Sequence, residues 1–351
     1  MTGRRRKAVL LVPLALLALG AAAVKAIALV NPDDVPQRNI QLKGTEIERV
    51  SPGGREVTFL KWGHGPGEAG RDGGSESALE GPASFDVDDS GELEVLDQVN
   101  RRTSRFSSTG RRLGHRRIPT GTAVDIKKAD DDSTFVLDSS RDAAVYEMKK
   151  NKVVRTSRLS KKKRDSTRSG AITALSVEGK KASIEFGHEE VLDVTDQTGR
   201  SLAPAQQERA RFKAGKRLRG AGQRRVVAEE VEADHVTLLV NGPRHPLFRV
   251  RIGSRSPIES IVDIQSDRAG TTYVLLHLMK PATNVDASDG ADGLALVAFN
   301  RSGRAKGQLR MPYDYFADRF REMRVTPRGR IYQMQTTEKG VRIVSWSRLE
   351  R

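Results

Sequence analysis

The chain of 351 residues contains no cysteine, and its 61 lysine and arginine residues outnumber its 45 acidic residues, which gives a formal net charge of +16 at pH 7. The absence of cysteine excludes a disulfide framework, a thiolate zinc site, an iron–sulfur cluster, a cysteine nucleophile and a lipidated cysteine. Hydrophobic residues make up 37% of the chain, which is enough for a layered core and favours a globular protein over a disordered one.

The N-terminus combines a basic cluster with an apolar run. Arg4, Arg5, Arg6 and Lys7 precede residues 8–30, of which 20 are apolar. This order is typical of a secretory signal peptide, so we predict a leader over residues 1–30. An uncleaved membrane anchor is the alternative. Either interpretation places the remaining chain outside the cytoplasm, in the periplasm or at the cell surface, and the anchor would tie it to the inner membrane.

Three segments of different character follow the leader. Residues 31–54 are polar with scattered proline and glycine, and we predict a tether there. Residues 55–62 alternate in part between apolar and polar side chains, which predicts a strand. Residues 63–81 contain seven glycines and are predicted to form a flexible loop.

From residue 82 to residue 346 the chain repeats with a period near 40. Asp86 and Asp125 lie 39 residues apart at corresponding positions, and Phe106 and Tyr146 lie 40 residues apart. Weaker copies of the same order of strands and turns follow over residues 172–202, 226–252, 258–309 and 323–346. A period of this length with about four short strands per unit predicts a β-propeller, and six units predict six blades.

The last unit contains only three predicted strands, whereas a propeller must form a closed ring. We therefore predict that residues 55–62 supply the missing outer strand of the last blade; the alternative is that they extend the tether. The predicted fold class is all-β. It is a single six-bladed propeller with about four strands per blade, closed by an N-terminal strand and preceded by one hydrophobic helix.

The first unit contains a specific residue pattern. It contains Gly81-Pro82, Phe85-Asp86-Val87, Val95-Leu96-Asp97-Gln98, Asn100-Arg101, Phe106 and Gly110-Arg111. These residues resemble the NHL-repeat β-propeller family, and more closely its exported bacterial members. The resemblance implies a propeller that binds other molecules, without implying one activity. In that family an Asp and an Asn-x-Arg pattern join neighbouring blades, and the positions that match this role are Asp97, Asn100, Arg102 and Asp138.

No catalytic motif accompanies the repeats. The six histidines lack metal-ligand spacing, and no nucleophile elbow, phosphate-binding loop or dinucleotide fingerprint occurs. Asp86, Asp125 and Asp263 recur at one place in three blades, where hydrogen bonding within turns or between blades is the commoner role. The alternative is that these carboxylates hold a metal in the central channel of a propeller enzyme of lyase or lactonase type. We otherwise expect no catalytic residue and no cofactor.

The positive charge is unevenly distributed. Residues 31–100 carry 6 basic and 15 acidic side chains, residues 101–170 carry 20 and 8, and residues 201–225 carry 8 and 1. Clustered cations on one propeller face would attract an anionic surface or partner; the alternative is a set of solvated charges neutralised by the acidic segment. The predicted binding residues are Arg101, Arg102, Arg105, Lys161, Lys162, Lys163, Lys216, Arg217 and Arg219.

The sequence therefore predicts an exported cell-envelope propeller that binds or scaffolds a protein or an anionic polymer. The alternatives are the propeller enzyme named above and a structural component of a larger surface or secretion assembly. Nucleic acid is disfavoured as a partner, because export removes access to it and no aromatic residues alternate with the basic ones.

Overall fold

The computed structural model describes residues 34–43, 51–73, 78–129, 131–140, 143–165, 171–279, 293–313, 316–346 and 349. The chain divides into two compact units, Met1–Val35 and Pro36–Arg351, and only residues 34 and 35 of the first unit are described. The predicted leader therefore lies outside the described residues, and so does the predicted hydrophobic helix. None of the helices in the described ranges is both long and apolar enough to cross a membrane.

The described chain forms six sheets, which we number as blades in chain order; their strands pair antiparallel except for one parallel pair in blade 4. Two N-terminal strands come first: β1 (Gln37–Gln41) and β2 (Gly54–Lys61). Blade 1 contains β3 (Ser84–Val87), β4 (Leu93–Asp97), β5 (Arg102–Phe106) and β6 (Arg112–Arg117). Blade 2 contains β7 (Ala123–Lys128), β8 (Thr134–Asp138), β9 (Ala144–Lys149) and β10 (Lys152–Arg158). Blade 3 contains β11 (Ile172–Glu178), β12 (Lys181–Phe186), β13 (Glu190–Asp193) and β14 (Lys213–Ala214).

The remaining three blades follow in the same order. Blade 4 contains β15 (Lys216–Arg217), β16 (Arg225–Val231), β17 (His235–Asn241) and β18 (Pro246–Gly253). Blade 5 contains β19 (Ile258–Ser266), β20 (Thr272–Leu278), β21 (Gly293–Phe299) and β22 (Ala305–Pro312). Blade 6 contains β23 (Met323–Val325), β24 (Ile331–Thr337) and β25 (Gly340–Trp346). Two short helices, α1 (Lys161–Asp165) and α2 (Pro204–Arg209), lie between strands.

The ring is closed by the N-terminal strand. β2 pairs antiparallel with β25, with Gly54 opposite Trp346 and Lys61 opposite Gly340. Leu60 of β2 is fully buried in the apolar cluster that blade 6 shares with blade 1. The innermost strands β23 and β3 also contact each other, so the last blade meets the first. The prediction of a six-bladed, all-β propeller closed by residues 55–62 is confirmed.

The core lies between neighbouring blades. Phe85 and Val95 of blade 1 share a cluster with Met334 and Ile343 of blade 6, and similar clusters join four further pairs of blades in the described chain. A sheet covered on both sides needs apolar residues at successive positions instead of alternating ones. Every residue of β4, β8, β20 and β21 is accordingly buried.

Blades 3 and 4 are joined by one continuous stretch of chain. β14 pairs with β13, and after Gly215 the next two residues form β15, which pairs with β16. Gly215 has a φ of +70°, and a Cβ there would collide with the carbonyl group of Val226. A residue with a side chain would therefore be strained at this crossing, which explains the glycine.

The predicted tether, residues 31–54, contains a strand. β1 adds to blade 4 as a fifth strand, parallel to β18, with Gln37 opposite Arg249. Leu42, just after the strand, is buried in the core of blades 4 and 5, and Ile40 packs against the same core. Backbone pairing at a sheet edge orders this segment, and two apolar side chains are too few to mark it by periodicity.

The strands run in alternating directions, so the loops open on two opposite faces of the propeller. We call one the turn face; it carries the turns between the first and second strands of the blades, including residues 88–92, 218–224, 267–271 and 326–330. We call the other the crossover face; it carries the connections between blades, including residues 118–122, 159–165 and 254–257.

Candidate functional site

The innermost strands bring the three predicted aspartates together through two arginines. Asp86, Asp125 and Asp263 lie on β3, β7 and β19 and are buried. Arg321 lies 2.8 Å from Asp125 and 2.9 Å from Asp263. Arg324 of β23 lies 2.5 Å from Asp125 and 3.3 Å from Asp86. Four innermost segments of the ring are therefore joined by ion pairs at the axis.

Backbone contacts fix the position of Arg321. The amide groups of Phe320 and Arg321 both donate to the carbonyl oxygen of Ala83, so the connection from blade 5 to blade 6 turns towards the start of β3. The Arg321 side chain also donates to the carbonyl oxygen of Thr173 on β11 and is only 1% exposed. These contacts hold a single guanidinium group between strands of blades 2, 3 and 5.

Two lysines and a glutamate complete this axial network. Lys127 of β7 donates to Asp86 at 2.8 Å. Lys216 of β15 lies 3.2 Å from Glu185 of β12 and also reaches Asp263 at 3.4 Å. The four carboxylates and the four cations Lys127, Lys216, Arg321 and Arg324 match in number, as buried charges require.

The arginines keep the aspartates ionised. Burial alone would raise the pKa of Asp125, but Arg321 and Arg324 outweigh burial and hold this pKa well below its usual range. Burial of Asp263 is outweighed in the same way by Arg321 and Lys216, so its pKa is also lowered. The aspartates are therefore anions at neutral pH, each with a cationic partner.

The same contacts test whether the aspartates could hold a metal. The carboxylate oxygens of Asp125 accept from Arg324, Ser84 and Arg321. A metal at the axis would have to displace guanidinium groups that are themselves buried, so these residues do not fit one. Within the described ranges, no group of three or more potential metal-ligating side chains is arranged to hold a metal ion.

Arg102 holds the connection that leads into blade 1 instead of facing solvent. It pairs with Asp97 at 3.2 Å and donates to the carbonyl oxygens of His64, Gly65 and Glu68. These contacts hold the described part of the glycine-rich segment, which leads from β2 into blade 1. The contacts of Arg102 lie within blade 1 and with the connection from β2, and its charge is already balanced by Asp97.

Three further predicted cations are paired with acidic side chains. Arg105 lies 2.6 Å from Glu92, and both are about one quarter exposed. Arg217 pairs with Glu178, and Lys216 belongs to the axial network. These side chains stabilise the fold and offer little charge to a ligand.

The predicted cations of α1 lie on the crossover face together with Arg101. Arg101, Lys161 and Lys162 are exposed, whereas Lys163 donates to a backbone carbonyl and covers the ring of Phe212. A cleft of about 710 Å³ between α1 and α2 contains both exposed lysines, but Asp165 and Glu208 also line it. The nine predicted cations are thus divided between the interior and the two faces, and do not form one binding surface.

The turn face carries cations that the sequence analysis did not single out. Arg268, Arg328 and Arg330 lie in the first turns of blades 5 and 6, beside the predicted Arg219 in the first turn of blade 4. We call Arg219, Arg268, Arg328 and Arg330 the arginine arc. Arg268, Arg328 and Arg330 are exposed, and Arg219 is partly exposed. A basic residue recurs after the innermost strand in three successive units. This recurrence is the sequence signal that could have revealed the arc.

Hydrogen bonds of backbone amides link the segments that carry the arc. The Arg268 amide donates to the Pro327 carbonyl oxygen at 2.8 Å, and the Arg219 amide donates to the Ser266 hydroxyl oxygen. Gly220 has a φ of +65°, and a Cβ there would collide with the carbonyl oxygen of Arg268. The arginines therefore extend from a closely packed backbone surface.

We call the turn-face end of the central channel the channel mouth. The carboxylates in the first turn of blade 1 lie at this mouth and are largely neutralised by a lysine of blade 2. Lys128 lies 2.7 Å from Asp88 and 3.2 Å from Glu92. Asp89 of blade 1 pairs with Arg268 of blade 5 across the channel mouth, at 2.7 Å. The turn face therefore has compensated charge over blade 1 and an excess of positive charge over blades 4 to 6.

Similarity to known proteins is limited to solved structures of low sequence identity. No family model matches the chain, and no curated protein matches it. The chain is a six-bladed β-propeller. It is similar to hydrazine synthase from Kuenenia stuttgartiensis, with 13% identity, a TM-score of 0.47, and coverage of 75% of this chain and 76% of that chain.

Two other solved structures are similar at comparable levels. A member of the DUF4221 family from Bacteroides vulgatus is 9% identical, with a TM-score of 0.48 and coverage of 85% of this chain and 96% of that one. Virginiamycin B lyase from Staphylococcus aureus is 7% identical, with a TM-score of 0.42 and coverage of 80% and 99%. Identities this low carry no statement about activity, and the strand pairing itself defines the fold.

Proposed function

We propose that this protein is a binding module that holds an anionic polymer on its turn face, across the arginine arc. One observation carries the proposal: four arginines from three consecutive blades lie around the channel mouth, and within the described residues an acidic partner is found only for Arg268. Arginine suits this role because its planar guanidinium group binds carboxylate, sulfate and phosphate groups through paired hydrogen bonds.

Carboxylates near the exposed cations of the crossover face favour the turn face as the surface that binds the polymer. The exposed lysines of α1 share their cleft with Asp165 and Glu208. The connection from β2 to β3 also lies on the crossover face and carries Glu68, Asp72 and Glu80. An approaching polyanion would meet these carboxylates there, whereas the arc offers a surface with excess positive charge.

The N-terminal sequence supports the finer parts of the proposal. A signal peptide or anchor within residues 8–30 would place the propeller in the cell envelope, where acidic polysaccharides are available as ligands. The first unit, in which Asp97, Asn100 and Arg102 match the family's pattern, supports a relationship to exported NHL-repeat propellers. A binding role is consistent with an axis whose described charged groups are engaged in ion pairs.

The proposal is tested by binding of heparin and of polygalacturonate, measured by fluorescence anisotropy at 50 and 200 mM salt. Affinity should fall with salt, because exposed charges are screened. The variant R219S/R328S/R330S should bind about tenfold more weakly, since three exposed contacts of about 0.2–1 kcal/mol each are lost. Arg268 is left in place so that Asp89 keeps its partner.

The matched control removes three exposed cations from the crossover face, in the variant K161S/K162S/R255S. This control should keep the affinity of the unchanged protein for both polymers. Equal losses in the two variants, or binding that does not respond to salt, would contradict the proposal. Polyglutamate serves as a further probe: tighter binding of this polypeptide than of either polysaccharide would point to an acidic protein partner instead.

A further inference from the structure

A cavity of about 400 Å³ lies at the outer edge of blade 4, beside β1 and the ends of β17 and β18. Val250 and Ile252 of β18 pack into the core shared with blade 5, so the alternate residues Arg251 and Gly253 face the side of blade 3. The outermost strand of blade 3, β14, has only two residues, which leaves this side of blade 4 open. The cavity is lined by Gln37, Asn39, Ile40, Gln41, Asp234, His235, Arg251, Gly253 and Ser254.

β1 supplies a row of amide groups to this cavity. Gln37, Asn39 and Gln41 share one face of the strand and are exposed, and Asn39 lies opposite Arg251 of β18. In the described chain their side chains make one hydrogen bond, from Gln37 to Asn39 at 2.9 Å. A primary amide can donate two hydrogen bonds and accept two. The strand therefore presents several donors and acceptors that the described residues do not use.

Gly253 leaves room for this row of amides. It lies opposite both Gln41 and His235, and a Cβ at this position would come within 2.6 Å of the side-chain oxygen of Gln41. The backbone of Gly253 does not have a positive φ. Close packing against Gln41 therefore distinguishes this glycine, and a side chain here would occupy the space of the cavity.

The charged groups beside the cavity balance one another. His235 lies 2.7 Å from Asp234 and 3.0 Å from Glu230. Hydrogen bonds with these two carboxylates raise the pKa of His235, against smaller opposing effects of burial and of Arg251. Arg251 itself lies 3.9 Å from Asp234 and 3.1 Å from Nδ1 of His235. With His235 protonated, two cations accompany two carboxylates, so net charge attracts neither an anion nor a cation.

We propose that this cavity binds a neutral oligosaccharide, with one sugar unit held between the amides of β1 and the Arg251–Asp234 pair. A hydroxyl group donates one hydrogen bond and accepts two. Neighbouring hydroxyls of a sugar ring therefore suit amides that do both, a carboxylate that accepts and a guanidinium that donates. The volume lies within the range of about 300–1,000 Å³ that is usual for small-molecule sites. Ile40 is the only lining residue with an apolar side chain, which disfavours a hydrophobic ligand.

This site goes beyond the proposed function in position and in chemistry. It lies at the outer edge of one blade, whereas the arginine arc lies in the turns around the channel mouth, and it selects a ligand by hydrogen bonds instead of charge. A bound sugar would also join β1 to β18. Because β1 is an edge strand that pairs with β18 alone, binding should slow hydrogen–deuterium exchange of residues 37–41.

Four soluble probes test the site: cellohexaose, maltohexaose, mannohexaose and N-acetylchitohexaose. Binding to the full chain is measured by isothermal titration calorimetry, and we expect a Kd of about 1 mM or tighter for at least one of them. That affinity should not change with salt, in contrast to the affinity for heparin. The same oligosaccharide should protect residues 37–41 from exchange. Failure of all four probes to bind would overturn the inference.

Matched variants of β1 locate the bound sugar. N39A/Q41A removes two amides from the cavity and should weaken binding about tenfold, because two hydrogen bonds are lost. R38A changes an exposed side chain on the opposite face of the same strand and should keep the affinity of the unchanged protein. Equal affinity in these two variants would contradict the proposed site.

Two further variants separate this site from protein folding and from the arc. G253V fills the cavity without removing a polar group and should abolish binding; should it fold poorly, the comparison of N39A/Q41A with R38A still decides the question. R219S/R328S/R330S should lose heparin affinity and bind the oligosaccharide as the unchanged protein does. Loss of both ligands in this arc variant would overturn the inference of a separate site, whereas failure of heparin alone would affect only the proposed function.

Discussion

Arg321 is the residue on which the axis depends most. It is 1% exposed and lies between two buried aspartates, Asp125 and Asp263. Removing one partner of a buried ion pair leaves an uncompensated charge, which costs far more than removing an exposed pair. The free energy of unfolding that is lost when Arg321 is replaced therefore tests whether the axial ion pairs stabilise the fold.

We predict that R321M lowers the free energy of unfolding by about 3–5 kcal/mol. The matched control R105M breaks the partly exposed pair with Glu92 and should cost at most about 1 kcal/mol. Urea unfolding followed by the fluorescence of the two tryptophans measures both values. If R321M were no more costly than R105M, the axis would not be held by these ion pairs.

The sequence revealed the types of the axial residues but not their partners. Asp125 and Asp263 recur at matching repeat positions, so their convergence on the inner strands was predictable. Arg321 and Arg324 show no such recurrence, and Arg324 reaches Asp125 across 199 positions of sequence. A contact of that span follows from ring closure, and no local pattern of residues specifies it.

At the scale of elements, the middle strands were the easiest to predict. β4, β8, β20 and β21 are covered on both sides and have apolar residues at most positions, which makes them stand out from the surrounding turns. β15 has two residues, both basic, and β1 is an edge strand with mostly exposed side chains. Backbone pairing defines these short elements, so periodicity could not find them.

The closing strand gives a direct test of the ring. Arg55 of β2 lies opposite Ser345 of β25, and the chain has no native cysteine. We predict that R55C/S345C forms a disulfide on oxidation and stabilises the protein by up to about 5 kcal/mol, because it constrains a very long loop of the unfolded chain. Thermal denaturation of the oxidised and reduced protein measures the effect.

The control for this test moves one cysteine out of register. In R55C/R342C the second cysteine lies three residues from the partner of Arg55, beyond the reach of a disulfide. This variant should remain reduced under the same conditions, and its melting temperature should be the same with and without the oxidant. Equal disulfide formation in both variants would mean that residues 54–61 are not fixed against β25.

At the scale of the whole molecule, the net charge of +16 is spread over different roles. Some cations hold connecting segments, as Arg102 does, and others neutralise buried carboxylates at the axis. The turn face over blades 4 to 6 retains positive charge because its arginines outnumber their described acidic partners. Long basic runs in the sequence pointed to α1 and to residues 209–225, whereas most of the arc consists of single arginines that the fold brings together.

The location of a bound polymer tests the central claim most directly. Hydrogen–deuterium exchange of the full chain, with and without heparin, reports which backbone segments become protected. We predict protection of residues 218–224, 267–271 and 326–330, with no change in α1 or α2. Protection confined to residues 159–165 and 204–209 would contradict the account, because it would place the ligand on the crossover face.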